Sequence, residues 1–157
     1  MSDAPARPRI FIDADACPVK DEIYKVARRY QLHTYVVANA FMMVPQDPLI
    51  ERVIVEAGPD IADDWIAERA TARDVVVTSD IPLAERCLKS NAQVISPKGK
   101  PFTLDSIGSA LAGRAIGEHL RSIGEVTRGP APFSNADRSQ FLQALDAAVH
   151  RAARARG

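Results

Sequence analysis

The sequence is short of the residues that mark several function classes. It holds only two cysteines, Cys17 and Cys87, far apart and without CxxC spacing, so neither a zinc site nor a disulfide framework can be read from it. Both are expected to be free thiols. No run approaches the roughly 18 uninterrupted apolar residues of a membrane-spanning helix, and the Pro-rich, charged start Met1–Arg9 lacks the apolar centre of a signal peptide. A cytoplasmic protein with no membrane partner is expected. Nothing repeats internally, and His33, His119 and His150 are scattered, forming no ligand cluster with the thiols. Net charge is absent too, at a formal value of zero. That zero conceals an asymmetry. Residues 1–96 carry 11 Lys/Arg against 15 Asp/Glu, a balance of −4, and residues 97–157 carry 9 against 5, a balance of +4. An acidic part able to recruit cations beside a basic part able to meet phosphates suits a metal-dependent enzyme acting on a polyanion. Ordinary solvated surface is the plain alternative.

What is present describes one globular domain. The 157 residues suffice for a single core, and an apolar fraction of 46% with 25% charged residues is the globular average. Residues 1–8 read as a flexible N-terminal segment, 9–126 as an α/β domain, and 127–157 as a closing segment and helix packed on the same domain. Arg9-Ile-Phe-Ile-Asp13 is an apolar run ending in acid, as a buried parallel strand does at its carboxyl end. Pro18 suits the first turn of a helix running to about Tyr30, with Ile23, Val26 and Ala27 at helical spacing. The β-branched runs at 33–38 and 52–56 read as strands two and three across a Pro-containing loop. Gly58-Pro59-Asp60 then opens helix two. Asp74-Val-Val-Val-Thr-Ser-Asp80 repeats the strand-then-acid pattern, followed by a helix at 82–89, a fifth strand at 93–96 and the basic turn Pro97–Pro101. Helical stretches are expected at 104–123 and 135–154. Strands alternating with helices indicate a mainly parallel five-stranded sheet covered on both faces, and such sheets bind ligands at their carboxyl ends.

Three acidic segments should meet on that rim: Asp13 and Asp15 after strand one, Asp60, Asp63 and Asp64 opening helix two, and Asp80 after strand four. Clustered carboxylates repel, and a hard cation such as Mg²⁺ or Mn²⁺ relieves them because it prefers oxygen ligands. Each acid also has a bland role. Asp60 reads as a helix N-cap and Asp15 as ligand or cap. At about 100° per residue, Asp63 lies about 110° from the centre of the helix-two apolar stripe and Asp64 about 150°, so Asp63 is the inward candidate. Asp64 is then a solvated first-turn acid favouring the helix dipole.

With these residues assembled, the chain resembles the YaiI/YqxD family of bacterial proteins, a branch of the PIN-like nuclease fold. The matching stretches are Ile12-Asp-Ala-Asp-Ala-Cys-Pro-Val-Lys20, Gly58-Pro-Asp-Ile-Ala-Asp63, Val77-Thr-Ser-Asp-Ile-Pro-Leu-Ala84 and Gly129-Pro-Ala-Pro-Phe-Ser-Asn-Ala-Asp-Arg138. The resemblance implies a PIN-like three-layer domain in which Asp13, Asp63 and Asp80 are catalytic and hold Mg or Mn that directs water at a phosphodiester, and Asp15 is expected beside them as a further metal ligand. RNA is the implied partner more than DNA. Where PIN nucleases supply a helical glutamate, this sequence presents an aspartate.

Thr78, Ser79, Lys98, Lys100, Arg128 and Arg138 are the expected substrate-binding residues, and a homodimer is compatible with the sequence. Ser134 with Asp137 should start the last helix as a capping box, aiming Arg138 at the pocket. Removing residues 128–157 is then expected to leave a folded core. Two other readings stay open. One is a metal- and nucleic-acid-binding scaffold without turnover. The other is a haloacid-dehalogenase-like phosphatase, imitated by Phe11-Ile-Asp-Ala-Asp15, although there the completing acids follow the Thr motif and here Asp63 and Asp64 precede it. Cys17 at a helix start would be a nucleophile only if its pKa were lowered.

Overall fold

The computed structural model describes residues 7–15, 17–58, 60–108 and 133–155. Its strands are β1 (Arg9–Asp13), β2 (Thr34–Ala38), β3 (Ile50–Ile54), β4 (Asp74–Val77) and β5 (Gln93–Ile95). The long helices are α1 (Lys20–Tyr30), α2 (Ile61–Arg69), α3 (Ile81–Lys89) and α4 (Asn135–Arg154). The strands pair in the order β3-β2-β1-β4-β5, every pair parallel. One antiparallel bridge, Ile95 to Pro101, folds the chain back beside β5. From β1 the chain builds outward through β2 to β3, then returns to lay β4 and β5 on the other side. The order therefore reverses between β1 and β4, and a crevice opens outside the carboxyl ends of strands at such a switch point.

Alternating side chains along each strand fill two separate cores. Ile10 and Ile12 of β1 and Val75 and Val77 of β4 pack with α1 and α4, whereas Phe11 and Val76 pack with α2 and α3. The result is the expected helix–sheet–helix sandwich, with β1 buried on both faces. No helix among the described residues is long and apolar enough to cross a membrane.

Several sequence expectations need adjustment. Strand three occupies Ile50–Ile54, not 52–56, because a turn launches it early: Leu49 N–H donates to Asp47 Oδ1 and Ile50 N–H to the Asp47 carbonyl. The ladder reaches one residue further, through Val55 N–H to the Ala38 carbonyl. Helix one begins at Lys20, so Pro18 precedes it. Residues 104–108 are helical, while the rest of the 104–123 stretch, residues 1–6 and Arg128 lie outside the described residues.

The last helix is no separable extension. Ser134 and Asp137 form the capping box, with Asp137 N–H to Ser134 Oγ at 3.1 Å and Ser134 N–H to Asp137 Oδ2 at 3.0 Å. From that start α4 sends Phe141, Leu145 and Val149 into the core beneath β1 and β4. Burying such side chains contributes about 1.5–3 kcal/mol each, a large part of the roughly 5–15 kcal/mol that holds a domain folded. A chain cut at residue 128 would expose that face, so a folded truncated core is not expected after all. Gly99 shows how closely the parts fit: it has φ +83°, and a Cβ there would come within 2.8 Å of the Gln140 carbonyl oxygen on α4. No other residue type fits that turn without displacing the helix.

The amino ends of the two central strands are latched together. Arg9 and Asp74 are register partners, and Arg9 donates Nε to Asp74 Oδ1 at 3.0 Å and Nη2 to Oδ2 at 2.9 Å. Thr71 adds its N–H at 2.7 Å and its hydroxyl at 2.9 Å to the same carboxylate. Asp74 is 1% exposed and fully partnered.

Candidate functional site

At the opposite, carboxyl end of the same strands lies a cleft of about 470 Å³. Asp13, Asp15, Asn39, Asp60, Asp63 and Asp80 line it together with Gly58, Ala62, Ser79 and Ile81. Five carboxylates from separate segments thus share one opening, and no Lys or Arg among the described residues lines it. Each arrives by local logic. Asp13 is the last residue of β1, Asp15 follows one turn later, and Ser79 and Asp80 follow β4, which neighbours β1. Asp60 and Asp63 come from the start of α2, which rises beside that rim.

Thr78 organises the floor. Its hydroxyl donates to Asp13 Oδ2 at 2.8 Å and accepts from the Asp80 N–H at 2.9 Å. Thr78 is itself buried, so its hydroxyl serves the acids beneath the surface instead of facing a substrate. Asp80 caps α3, accepting the Leu83 N–H on Oδ1 at 2.9 Å, and also lines the cleft. Asp60 occupies the N-cap position of α2 in the left-handed region, φ 67° and ψ 0°, and its side chain makes no capping hydrogen bond. The expectation that Asp60 is a cap is thereby corrected: its carboxylate belongs to the cleft. A non-glycine residue held in that region stores strain, which gathers at functional sites. Asp15 is likewise no cap, because α1 starts from Val19 without a side-chain cap.

Helical geometry separates the paired acids of α2 as expected. Asp63 faces the cleft, and exposed Asp64 turns away to pair with Arg86 at 2.6 Å. The electrostatics follow from the crowding of like charge. Partial burial lifts Asp63 to about 6, with Asp80, Asp13 and Asp60 adding to the rise and Arg86 opposing it. Burial also raises Asp13, and Asp15 and Asp80 add to it against the Thr78 hydrogen bond. Proton uptake of this kind is how a carboxylate cluster lowers its own repulsion.

The side chains as placed do not converge on a point: among the described residues no three His, Cys, Asp or Glu groups stand close enough to hold one ion. The donor set nevertheless suits a hard divalent cation, being all oxygen and carrying an excess of negative charge. Asp13, Asp15, Asp63 and Asp80 are the residues that could supply ligands, with Asp60 beside them.

Of the basic residues named from sequence, Arg128 lies outside the described residues, and Lys98, Lys100 and Arg138 are placed away from the cleft. Lys98 and Lys100 are exposed on the turn after β5 and do not line the cleft. Arg138 pairs with Glu22 at 2.8 Å, donates to the Pro18 carbonyl and lies 5.2 Å from the centroid of Phe133. It ties the start of α4 to the start of α1. Cys17 is buried, and burial pushes its thiol up against a backbone hydrogen bond at Val19, the reverse of an activated nucleophile. Burial likewise pushes Cys87 to about 12, and both thiols are free. Asn39 is a cleft residue that reading the acids alone passed over. Its position just after β2, on the same rim, is the signal that would have found it.

Comparison with known proteins agrees with the stretches that carry these acids. The family model described as "Uncharacterized BCR, YaiI/YqxD family" matches residues 11–151. A UPF0178 protein of Caulobacter vibrioides is 64% identical over 146 residues, covering 93% of this chain and 95% of the relative. UPF0178 proteins of Bradyrhizobium diazoefficiens and Azorhizobium caulinodans are 61% and 56% identical, each over 99% of this chain and over 92% and 98% of their own lengths. No solved structure matches. With its acidic rim inside the matched span, together with nearly all of its sheet and last helix, the chain belongs to the YaiI/YqxD family.

Proposed function

We propose that this protein is a divalent-metal-dependent hydrolase of phosphodiesters, acting on nucleic acid and on RNA before DNA. The observation that supports the reading most is the gathering of five aspartates at the switch point with no Lys or Arg among the described residues lining the opening. A structural role would have supplied a partner, as it does for Asp74.

In this reading Asp13, Asp63 and Asp80 hold Mg²⁺ or Mn²⁺, with Asp15 at the exposed mouth. The cation, when bound, supplies positive charge for a scissile phosphate and makes a water acidic enough to attack. The chain's own groups prepare the place. Thr78 fixes Asp13 and Asp80 relative to each other through one hydroxyl. The Asp80 cap anchors that carboxylate to α3, so it does not swing with the loop. Ser79, on the cleft surface, offers a hydroxyl donor to a phosphate oxygen. Asp60, with no capping bond to satisfy, is available to accept a proton at its carboxylate.

A second reading, a binding scaffold without turnover, draws on the lack of a tight three-residue ligand group. One assay separates the two: incubation with single-stranded RNA in Mg²⁺ or Mn²⁺, comparing the protein with Asp80→Asn. Asparagine caps helices as well as aspartate, so α3 should persist while the charge is lost. Cleavage that falls at least about a hundredfold in the variant supports the hydrolase, a loss typical of removing one charge-handling group. Binding without cleavage by the unmodified protein supports the scaffold, and phosphate released from small esters would instead support a phosphatase.

A further inference from the structure

Beside the acidic cleft the surface changes character. Phe41 and Met43 are 65% and 80% exposed, and Ile54 at the end of β3 is 48% exposed. Arg52 stands among them. Its guanidinium lies 4.2 Å from the centroid of the Phe41 ring, and Nη1 donates to the Met42 carbonyl at 3.3 Å. Arg52 and Ile54, two apart on β3, share one face of the strand, and Met43 and Arg52 line the same groove.

Arg52 differs from the arginines that hold the fold together. Arg9, Arg28, Arg86 and Arg138 each pair with a carboxylate. Arg52 is fixed in place by a ring and a carbonyl, and no carboxylate among the described residues pairs with it. It therefore presents an uncompensated planar cation. The ring beneath it keeps much of its surface open to solvent.

The position ties this patch to the cleft. β2 and β3 run parallel to β1, so their carboxyl ends open on the same rim. Asn39 lines the cleft, and Phe41 follows two residues later, within roughly 7 Å of its backbone. An exposed aromatic ring and a guanidinium stacked on it match one ligand chemistry closely: a flat base attached to a phosphate.

We propose that Phe41 and Arg52 form a stacking platform for an unpaired base of a nucleic acid strand whose neighbouring phosphate enters the acidic cleft. The inference rests on the reading of that cleft as a phosphodiester site, and adds to it that the strand is single-stranded where it binds. A paired base has its faces covered by neighbours and could not lie on the ring.

The test is binding of a hydrolysis-resistant single-stranded RNA of about eight nucleotides, in Mg²⁺, by fluorescence anisotropy. Phe41→Ala and Arg52→Ala should each weaken binding roughly tenfold, and the arginine change should also lower the salt slope by about one. Arg52→Lys should restore the salt slope without restoring affinity, since lysine keeps the charge but not the plane. Phe41→Trp should bind as the unmodified protein does, with its fluorescence quenched by the RNA and not by an abasic sugar–phosphate strand. If the RNA binds and all these variants match the unmodified protein, the platform is wrong and the cleft reading stands. If the unmodified protein neither binds nor cleaves RNA, the cleft reading falls and the platform with it. If instead the protein sediments as a dimer that Phe41→Ala disperses, the patch is covered by a second copy and the proposal is overturned.

Discussion

β1 and β4 lie side by side through the middle of the sheet, and their two ends treat acid in opposite ways. At the amino end Asp74 is buried, gripped by Arg9 with two hydrogen bonds and by Thr71 with two more. At the carboxyl end Asp13 and Asp80 share a cleft with three further aspartates and no lysine or arginine among the described residues. The chemistry of the side chain is identical, so the difference lies in the partners. A carboxylate given an arginine is a fixture of the fold. Carboxylates gathered without a cation cost stability, and that cost is offset only when something positive arrives.

Removing charge should therefore act with opposite sign at the two ends. Asp74→Asn breaks a bidentate pair and should cost about 3 kcal/mol in urea unfolding, since one acceptor oxygen becomes an NH2 that faces the Arg9 or Thr71 donors and the buried charge that balanced Arg9 is gone. Asp63→Asn relieves repulsion and should leave stability unchanged or higher in metal-free buffer. If both variants lost stability alike, the contrast between the ends would be broken.

Cation addition sharpens the same contrast. At a hundredfold excess over Kd, Mg²⁺ or Mn²⁺ should add about 2.7 kcal/mol to the unmodified protein. The gain should vanish in Asp13→Asn/Asp63→Asn and survive in Asp74→Asn when thermal midpoints are compared with and without metal. An equal gain in all three would place any cation away from the cleft.

The pH response is the third test. The folded protein holds a proton on Asp63 up to about 6, above the ordinary carboxylate value of 3.8. The folded state thus binds this proton more tightly than the unfolded one. Its stabilising contribution is complete below about 4 and is lost as pH rises through 6. In EDTA, unfolding followed from pH 4 to 7 should show that loss in the unmodified protein and a smaller one in Asp63→Asn, where only the raised Asp13 remains.

The smallest effect belongs to the capping box of α4. Hydrogen bonds to Ser134 hold the Asp137 carboxyl below the usual carboxylate range, so its contribution is present above that range and lost as pH falls. Ser134→Ala should cost about 1 kcal/mol at neutral pH, as N-cap replacements do. Thermal melts at two pH values would show whether the cost shrinks in acid.

Much of this site could be read from residue order. Strand one and strand four each run from apolar residues into acid, and a parallel sheet puts such ends on one rim. Angular position on a helix then told Asp63 from Asp64. Asp60 was misread because Gly58-Pro59-Asp60 signals a helix start without revealing the left-handed backbone that releases the carboxylate from capping. Charge balance located a basic half in the sequence but not its direction in space. Arg138 turns to Glu22, and the unpaired Arg52 comes from the acidic half. The contacts that decided both are separated by more than a hundred residues or by a loop, and no local pattern records them.

The placement of α4 bears on how the chain is made. The ribosome delivers β1, α1 and β4 first, yet the part of their core that α4 completes waits for Phe141, Leu145 and Val149. Until those residues emerge, the face of the sheet that carries Ile10, Ile12, Val75 and Val77 has α1 on it but not α4. Domains generally fold as units, and transiently exposed apolar surface invites aggregation. Pausing late in translation would prolong that incomplete state.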